Sequence, residues 1–293
     1  MKQLFLIDSM AYIFRSFFAI RHMSSPDGVP TNATFGFIKA FEKILNDFNP
    51  EHVVAVFDAG SKTFRNDIYP EYKANRSECP EDLRPQFDIV KEYLTLRGIP
   101  IVIQPGFEAD DLIGTLAKKG SAIGMDVVIC SGDKDMMQLI GDNVKMCQTH
   151  KENLMVDAAK VQELIGVRPD QVIDYLSMTG DAADNIPGLP GIGAKGAAKF
   201  LQQFETLEGF FANADKVTGK KAIEACTLHQ DKGHLSKTLV TIKCDIELAE
   251  HEEPDKLVVG MPDVEGLEAY FERFGMRQMK TTLEKIKRQA SNK

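Results

Sequence analysis

Nine carboxylates stand out by type and spacing. In "PGFEADDLIGTLAKKG" (105–120), Glu108, Asp110 and Asp111 fall within four positions at the start of an amphipathic helix pattern. Mutually repelling side chains gain nothing from that closeness unless something cationic holds them. One acidic group in a first turn satisfies free backbone N–H groups and complements the helix dipole. Three exceed that need, and on this stretch alone capping and a metal site both stay open. The other six follow the same habit. Asp8 closes the run "LFLI", Asp58 closes "HVVAVF", and Asp133 and Asp135 in "CSGDKD" follow "DVVI". Asp181 and Asp184, in "MTGDAADNIPG", lie between a helical pattern and a Gly/Pro turn. For any one of these an ordinary turn or cap role suffices, and Asp181 and Asp184 alone read equally well as helix-stop residues.

Together the nine ask for a different account. Like charges crowded at one place raise one another's pKa and destabilise a fold, and divalent cations remove the conflict. Oxygen ligands with no His or Cys cluster favour hard ions, Mg2+ or Mn2+, over zinc. The histidines (22, 52, 150, 229, 234, 251) are scattered and read as structural or surface residues. Cys79, Cys130, Cys147, Cys226 and Cys244 are odd in number and form no CxxC pair, which argues against a disulfide framework and a thiolate site. So many carboxylates exceed the needs of one magnesium. Two or more ions are implied, and the reaction class that most often employs such a pair is phosphodiester hydrolysis.

The elements that must position these groups are an alternating series. Strands are predicted at 4–8, 52–58, 99–103 and 126–130, with helices near 10–21, 33–48, 82–97 and 108–119. That alternation means an α/β fold with a mostly parallel central sheet covered on both faces. Every strand-end carboxylate then falls at the carboxyl edge, where such sheets bind their ligands. Residues 62–80, "KTFRNDIYPEYKANRSECP", interrupt the alternation with charged and aromatic residues, and suit nucleic-acid contact. From about 157 helices take over, at 157–165, 170–179, 194–204 and beyond. The expected division is a core over 1–156 and a helical region over 157–293.

Between two of the later helices, "GLPGIGAKGAAKF" (188–200) combines a tight turn with a helix start carrying Lys195 and Lys199. Glycines allow close backbone approach and the helix start offers free N–H groups, so this is a phosphate-binding device. It lacks GxxxxGK[ST] and does not follow a strand, which excludes a P-loop and a dinucleotide fingerprint. The net charge of −8 becomes +1 when the nine carboxylates are set aside, so overall charge does not exclude nucleic acid. No apolar stretch reaches transmembrane length, and the four-residue run before Asp8 is too short for a secretory segment. A cytoplasmic chain is expected.

"LIDSMAYIFRSFFA", "GVPTNATFGF", "AVFDAGSKTFR", "YPEYKANR", "GFEADDLIGTLA", "SGDKDMMQLI" and "TGDAADNIPGLPGIGAKGAAKFL" resemble, in order, the motifs of the 5′-nuclease (flap endonuclease-like) family, as found in the N-terminal 5′→3′ exonuclease domain of bacterial DNA polymerases. The resemblance is specific over the first 205 residues and weaker afterwards. It implies a PIN-like core, a helix-hairpin-helix motif at about 184–204, and a helical arch or clamp at about 62–82 under which a free 5′ strand passes. It implies that Asp8, Asp58, Glu108, Asp110, Asp111, Asp133, Asp135, Asp181 and Asp184 bind two or more Mg2+ or Mn2+ ions, and that Lys73 and Arg76 act on the scissile phosphate. It implies DNA contacts from Arg65, Tyr72 (by stacking on a base), Gly191, Gly193, Lys195 and Lys199, with K+ held by carbonyls around Gly191 to Gly193.

The expected activity is therefore structure-specific 5′→3′ exonuclease and 5′-flap endonuclease hydrolysis with two metal ions, in replication and repair. Expected partners are DNA with a 5′ flap, nick or 5′ overhang, and RNA–DNA hybrids. The expected state is a monomer, nucleoid-associated in a bacterium, which could belong to a longer chain with polymerase domains. The 62–80 segment is expected to hold few buried contacts and to be poorly ordered without DNA. A PIN-type ribonuclease would share the acidic core without needing the turn or the arch. A non-catalytic junction-binding module would keep the turn and lose carboxylates. A phosphatase using Asp8 as nucleophile would want Asp at position 10, where Met10 stands.

Overall fold

A computed structural model describes residues 2–60 and 62–291. In chain order its main elements are β1 (Gln3–Asp8), α1 (Ser9–Ala19), α2 (Asn32–Phe48), β2 (His52–Phe57), α3 (Phe64–Ile68), α4 (Arg84–Leu96), β3 (Ile101–Ile103), α5 (Ala109–Ala122), β4 (Asp126–Cys130), β5 (Val144–Gln148) and β6 (Leu154–Val156). They continue with α6 (Ala158–Ile165), α7 (Val172–Thr179), α8 (Ala194–Phe204), α9 (Leu207–Ala212), α10 (Lys220–Leu228), α11 (Gln230–Val240), α12 (Val264–Arg273) and α13 (Lys280–Ser291).

The strands form one sheet in the order β3-β2-β1-β4-β5-β6, parallel except for β6 against β5. Central strands are covered on both faces, which is why β1 and β2 read as unbroken apolar runs rather than alternating ones. Leu4, Leu6, Val54, Val56, Val127 and Ile129 point to the face covered by α5. Their neighbours Phe5, Ile7, Val53, Ala55, Phe57 and Val128 point to the opposite face, where α2 and α4 pack. One apolar cluster runs from Leu4 through α5 to Leu201 of α8 and Leu239 of α11. The helical region therefore shares its core with the sheet. The chain then returns, so that Tyr270 of α12 and Ile286 of α13 pack with Tyr93 of α4 on the other face.

Strand order reverses between β1 and β4, and the topological switch point at their carboxyl ends is where a parallel sheet opens a crevice. Asp8 ends β1, and Asp133 follows β4, on either side of it.

Two regions differ from the sequence reading. β5 and β6 extend the sheet beyond β4; "VKMCQ" and "LMV" are short and poor in β-branched residues, and their pairing comes from the strand already beside them. The 62–80 segment is also more embedded than expected. Its helix is limited to the short α3, yet Thr63, Arg65 and Tyr72 are buried. Lys73 N donates to Asp184 O at 3.0 Å, Asn75 Nδ2 to Ala182 O at 2.6 Å and Asn185 Nδ2 to Glu71 O at 2.8 Å. These bonds lay the segment across the 181–185 turn as a clamp. The premise of few buried contacts does not hold.

Candidate metal centre

The nine carboxylates divide by what neutralises them. Asp8, Asp58, Asp110, Asp133 and Asp135 form no ion pair among the described residues. Asp8 caps α1 by accepting from Ala11 N at 3.1 Å and takes the Ser131 hydroxyl at 2.6 Å. Burial, with Asp133 and Asp58 nearby, pushes its pKa up to about 6. Asp58 accepts from Ala109 N at 2.6 Å, and burial raises its pKa too, with Glu108 adding to the push. Asp110 accepts no hydrogen bond among the described residues; burial, then the charges of Asp8, Asp133 and Asp58, hold its pKa well above the usual carboxylate range. Asp135 is pushed to about 7 by burial and by Asp133, and its Oδ1 is buried without a partner.

The remaining four are met by protein cations. Lys73 Nζ lies 2.7 Å from Glu108 Oε1 and 3.7 Å from Asp184 Oδ2. Arg76 donates to Asp184 through Nε at 3.1 Å and also through Nη2. Lys134 Nζ reaches Asp181 Oδ2 at 3.0 Å; burial would raise the Asp181 pKa, but Lys134 outweighs it and the net shift is downward. Arg65 binds Asp111 in a two-pronged pair, Nη1 to Oδ2 at 2.7 Å and Nη2 to Oδ1 at 2.8 Å.

Three of the expected site residues are placed inside, with protein partners. Arg65 is 2% exposed and engaged with Asp111 rather than presented at the surface. Tyr72 is 4% exposed, with its hydroxyl donating to Glu108 at 3.0 Å and lying 3.3 Å from Asp184, so its ring is packed inside and is not presented at the surface. Asp111 is 0% exposed and fully occupied by donors, unlike its neighbour Asp110.

Three residues went unnoticed in the sequence. Lys134 joins the loop after β4 to the 181–185 turn, and its position between two aspartates was the available signal. Ser131 links both sides of the switch point, donating to Asp8 and accepting from Asp133 N at 3.0 Å. Arg15 of α1 lies against Gly132, so close that a Cβ there would stand 2.3 Å from its Nη2, and it makes no ion pair among the described residues.

The turn after α7 begins at the same edge. Gly180 and Gly188, at φ +68° and +62°, pack back to back, and a Cβ on Gly188 would lie 2.4 Å from Gly180 N. Neither the backbone conformation nor the space admits a side chain. Gly193 caps α8 with no neighbour within 4 Å of its Cβ direction, and Lys195 and Lys199 are exposed. A Gly188→Ala variant is expected to lose several-fold or more in affinity for duplex DNA and about 2 kcal/mol or more of stability. Unchanged DNA affinity in a filter-binding titration would contradict this.

The residues present fit hard divalent cations. The donor set is oxygen-only, five carboxylates lack a protein counter-charge, and Asp135 Oδ1 is a buried orphan. Among the described residues no three His, Cys, Asp or Glu side chains already stand as a closed cage. They instead form two overlapping fields, Asp110 with Asp8 and Asp58, and Asp135 with Asp181 and Asp184, both including Asp133. A carboxyl whose folded pKa exceeds its unfolded value near 3.8 binds more protons folded than unfolded, so its stabilising effect is fullest below the unfolded value and is lost as pH rises through the folded one. In EDTA, stability is expected to fall from about pH 4 to about pH 7, by on the order of a few kcal/mol, and Mg2+ should flatten the profile. Thermal melts in EDTA that do not change across this range would contradict it.

Residues 3–166 match the family model for the 5′-3′ exonuclease N-terminal resolvase-like domain, and residues 167–265 match that for the 5′-3′ exonuclease C-terminal SAM fold. A 5′-3′ exonuclease of Aquifex aeolicus is 35% identical over 293 residues, covering 100% of this chain and 99% of that protein. The DNA polymerase I of Rhizobium leguminosarum is 40% identical over 253 residues, covering 84% of this chain; the match spans 25% of that polymerase's length. The flap endonuclease of bacteriophage T5, in a pseudo-enzyme–product complex with DNA and metal ions, superposes with a TM-score of 0.69 at 20% identity, covering 99% of this chain and 98% of the other. That likeness concerns the fold. No described helix is long and apolar enough to cross a membrane.

Proposed function

Because the chain belongs to the 5′-3′ exonuclease family, we propose that it hydrolyses phosphodiester bonds at 5′ flaps, nicks and 5′ ends of DNA, RNA primers paired to DNA included, and that it does so with two or more Mg2+ or Mn2+ ions. The observation that carries this reading is the pairing of five carboxylates lacking a protein counter-charge with two cations, Lys73 and Arg76, parked on Glu108 and Asp184 at the same edge.

Asp8, Asp58, Asp110, Asp133 and Asp135 would hold the ions, with Glu108, Asp181 and Asp184 beside them. When bound, such ions supply Lewis-acid activation of water and neutralise charge on the phosphoryl oxygens. Lys73 and Arg76 are held without substrate by Glu108 and Asp184. A scissile phosphate is the competing anion, and a phosphoryl transition state, carrying more negative charge, competes better. Burial alone would lower the Lys73 pKa, but Glu108 and Asp184 more than compensate, so it stays cationic throughout the working pH range. Arg15, unpaired at the switch point, is placed to take a neighbouring phosphate.

The turn and the start of α8 would grip the duplex backbone through free N–H groups and through Lys195 and Lys199, leaving selection to junction shape. Carbonyls around Gly191 to Gly193 would accommodate K+. The division into a nuclease core to about 156 and a DNA-gripping helical region beyond it is part of this reading. So are a monomeric state, a cytoplasmic, nucleoid-associated place, and a parent chain with polymerase domains.

Cleavage of a 5′-labelled flap duplex, in Mg2+ and in EDTA and beside single-stranded RNA, tests it. Short products cut near the junction, lost in EDTA, are expected. Tight flap binding with no cleavage in Mg2+ or Mn2+ would leave a junction-binding module, and cleavage of the RNA alone a PIN-type ribonuclease.

A further inference from the structure

We propose that Asp111 and Arg65 form a positioning clamp that fixes Glu108 and the Lys73/Arg76 segment relative to each other, and that Asp111 takes no part in binding the catalytic cations. The inference rests on the reading of the neighbouring carboxylates as ligands and divides that acidic set by lone-pair occupancy.

An ionised carboxylate offers about four lone-pair sites. On Asp111 all four are taken. Oδ2 accepts from Arg65 Nη1 at 2.7 Å and from Glu108 N at 3.2 Å, and Oδ1 accepts from Arg65 Nη2 at 2.8 Å and from Lys243 N at 2.9 Å. The residue has no solvent exposure, so a cation would have to displace a buried guanidinium that cannot lose its charge. Asp110, one position earlier, accepts no such bonds and faces Asp8, Asp58 and Asp133.

Arg65 spends its remaining donors on the end of α11, the residue just after it, and Glu108. Nε donates to Leu239 O at 2.8 Å, Nη2 to Thr241 O at 2.9 Å, and Nη1 lies 3.5 Å from Glu108 Oε2. One guanidinium thus joins three distant stretches: the start of the 62–80 segment, the start of α5, and residues 239–243. The same α11 carries Ser236, whose hydroxyl accepts from Gly188 N in the DNA-gripping turn at 3.0 Å. With Glu108 N held by Asp111, and Lys73 on Glu108, the clamp sets where the phosphate-facing cations stand against the ligand carboxylates.

The test compares Asp111→Asn, Arg65→Lys and their combination with Asp110→Asn as the ligand reference, all in the full chain. Mn2+ binding is followed by electron paramagnetic resonance, and single-turnover flap cleavage at saturating DNA and flap affinity in Ca2+ are followed alongside. Asp111→Asn and Arg65→Lys are expected to retain the wild-type number of Mn2+ ions and the wild-type flap affinity. Each should slow cleavage by about tenfold, the usual scale for outer-shell residues, and the combination should be no slower than either alone. A purely structural role would lower the melting temperature and leave the rate of folded protein unchanged, which would overturn the proposal. So would loss of a bound ion in Asp111→Asn, as in Asp110→Asn, while Arg65→Lys cleaves at the wild-type rate. If Asp111→Asn fails to fold, Arg65→Lys and the charge-free Arg65→Met/Asp111→Leu pair carry the comparison. A wild-type chain that takes up no Mn2+ would overturn the ligand reading itself, and this proposal with it.

Discussion

Replacing Asp110 by Asn is expected to abolish Mg2+-dependent flap cleavage and, in EDTA, to raise the melting temperature of the same protein. The two effects have one origin. Asp110 is desolvated and faces Asp8, Asp133 and Asp58, with no hydrogen bond or ion pair from the described protein to offset them. Its charge is therefore a burden on the metal-free fold, and an isosteric neutral side chain relieves it. Removing one unfavourable half-buried charge is worth about 1–2 kcal/mol, a rise of a few degrees for a chain of this size. In the proposed reaction the same charge would hold a cation. Losing it should lower the cleavage rate by at least about a thousandfold, or about 4 kcal/mol in the barrier. Single-turnover cleavage and EDTA melts on the same preparation check both signs. A variant that cleaves normally, or that melts lower without metal, would show that Asp110 is held by the fold.

Lys73→Met should leave flap binding nearly intact and slow cleavage by roughly two to three orders of magnitude, the usual loss when a preorganised donor to a developing charge is removed. Methionine keeps an apolar stem of similar length and gives up the ammonium that stands 4.9 Å from the Tyr72 ring centroid. It also leaves the backbone strain as it was, because Lys73 sits at φ +58° and methionine is no easier there. The change thus removes chiefly the charge. Glu108 is left with the Tyr72 hydroxyl at 3.0 Å and the more distant Arg65, and should take a divalent ion more readily at low concentration. A slower enzyme with a lower metal requirement is the signature of a cation that competes with metal in the free state and with nothing at the transition state. Cleavage within threefold of wild type would remove Lys73 from the reaction. Arg76→Met should cost less, because Arg76 is more exposed and its partner Asp184 has Lys73 nearby as well.

How much of this was readable in advance follows from the range of each interaction. Central strands covered on both faces must be apolar throughout, so "LFLI", "HVVAVF" and "DVVI" declare themselves and the parallel sheet follows. A parallel sheet has one carboxyl edge, so strand-end acids have to meet there, and Asp8, Asp58 and Asp133 were assigned to one crevice without any contact being known. The Gly/Pro turn is equally local, since Gly180 and Gly188 are needed wherever two backbones come this close. Strands β5 and β6 were less legible because their pairing depends on a neighbour and not on their own composition.

Exposure in the 62–80 segment belongs to the other kind. A stretch with Arg65, Tyr72, Lys73 and Arg76 looks solvated, and two of these four prove buried, because partners far along the chain satisfy them. Arg65 meets Asp111 46 positions away and Thr241 176 positions away, distances over which sequence spacing carries no information. Asp110 and Asp111 are adjacent and identical in type, yet one faces a crevice of like charge and the other a buried guanidinium. The sequence by itself determined that the strand-end carboxylates would gather at one edge and that a tight Gly/Pro turn would join two later helices, since strand periodicity and glycine stereochemistry are local. Only the tertiary structure decided which acidic side chains keep free lone pairs, since that depends on which ones the rest of the chain has already filled.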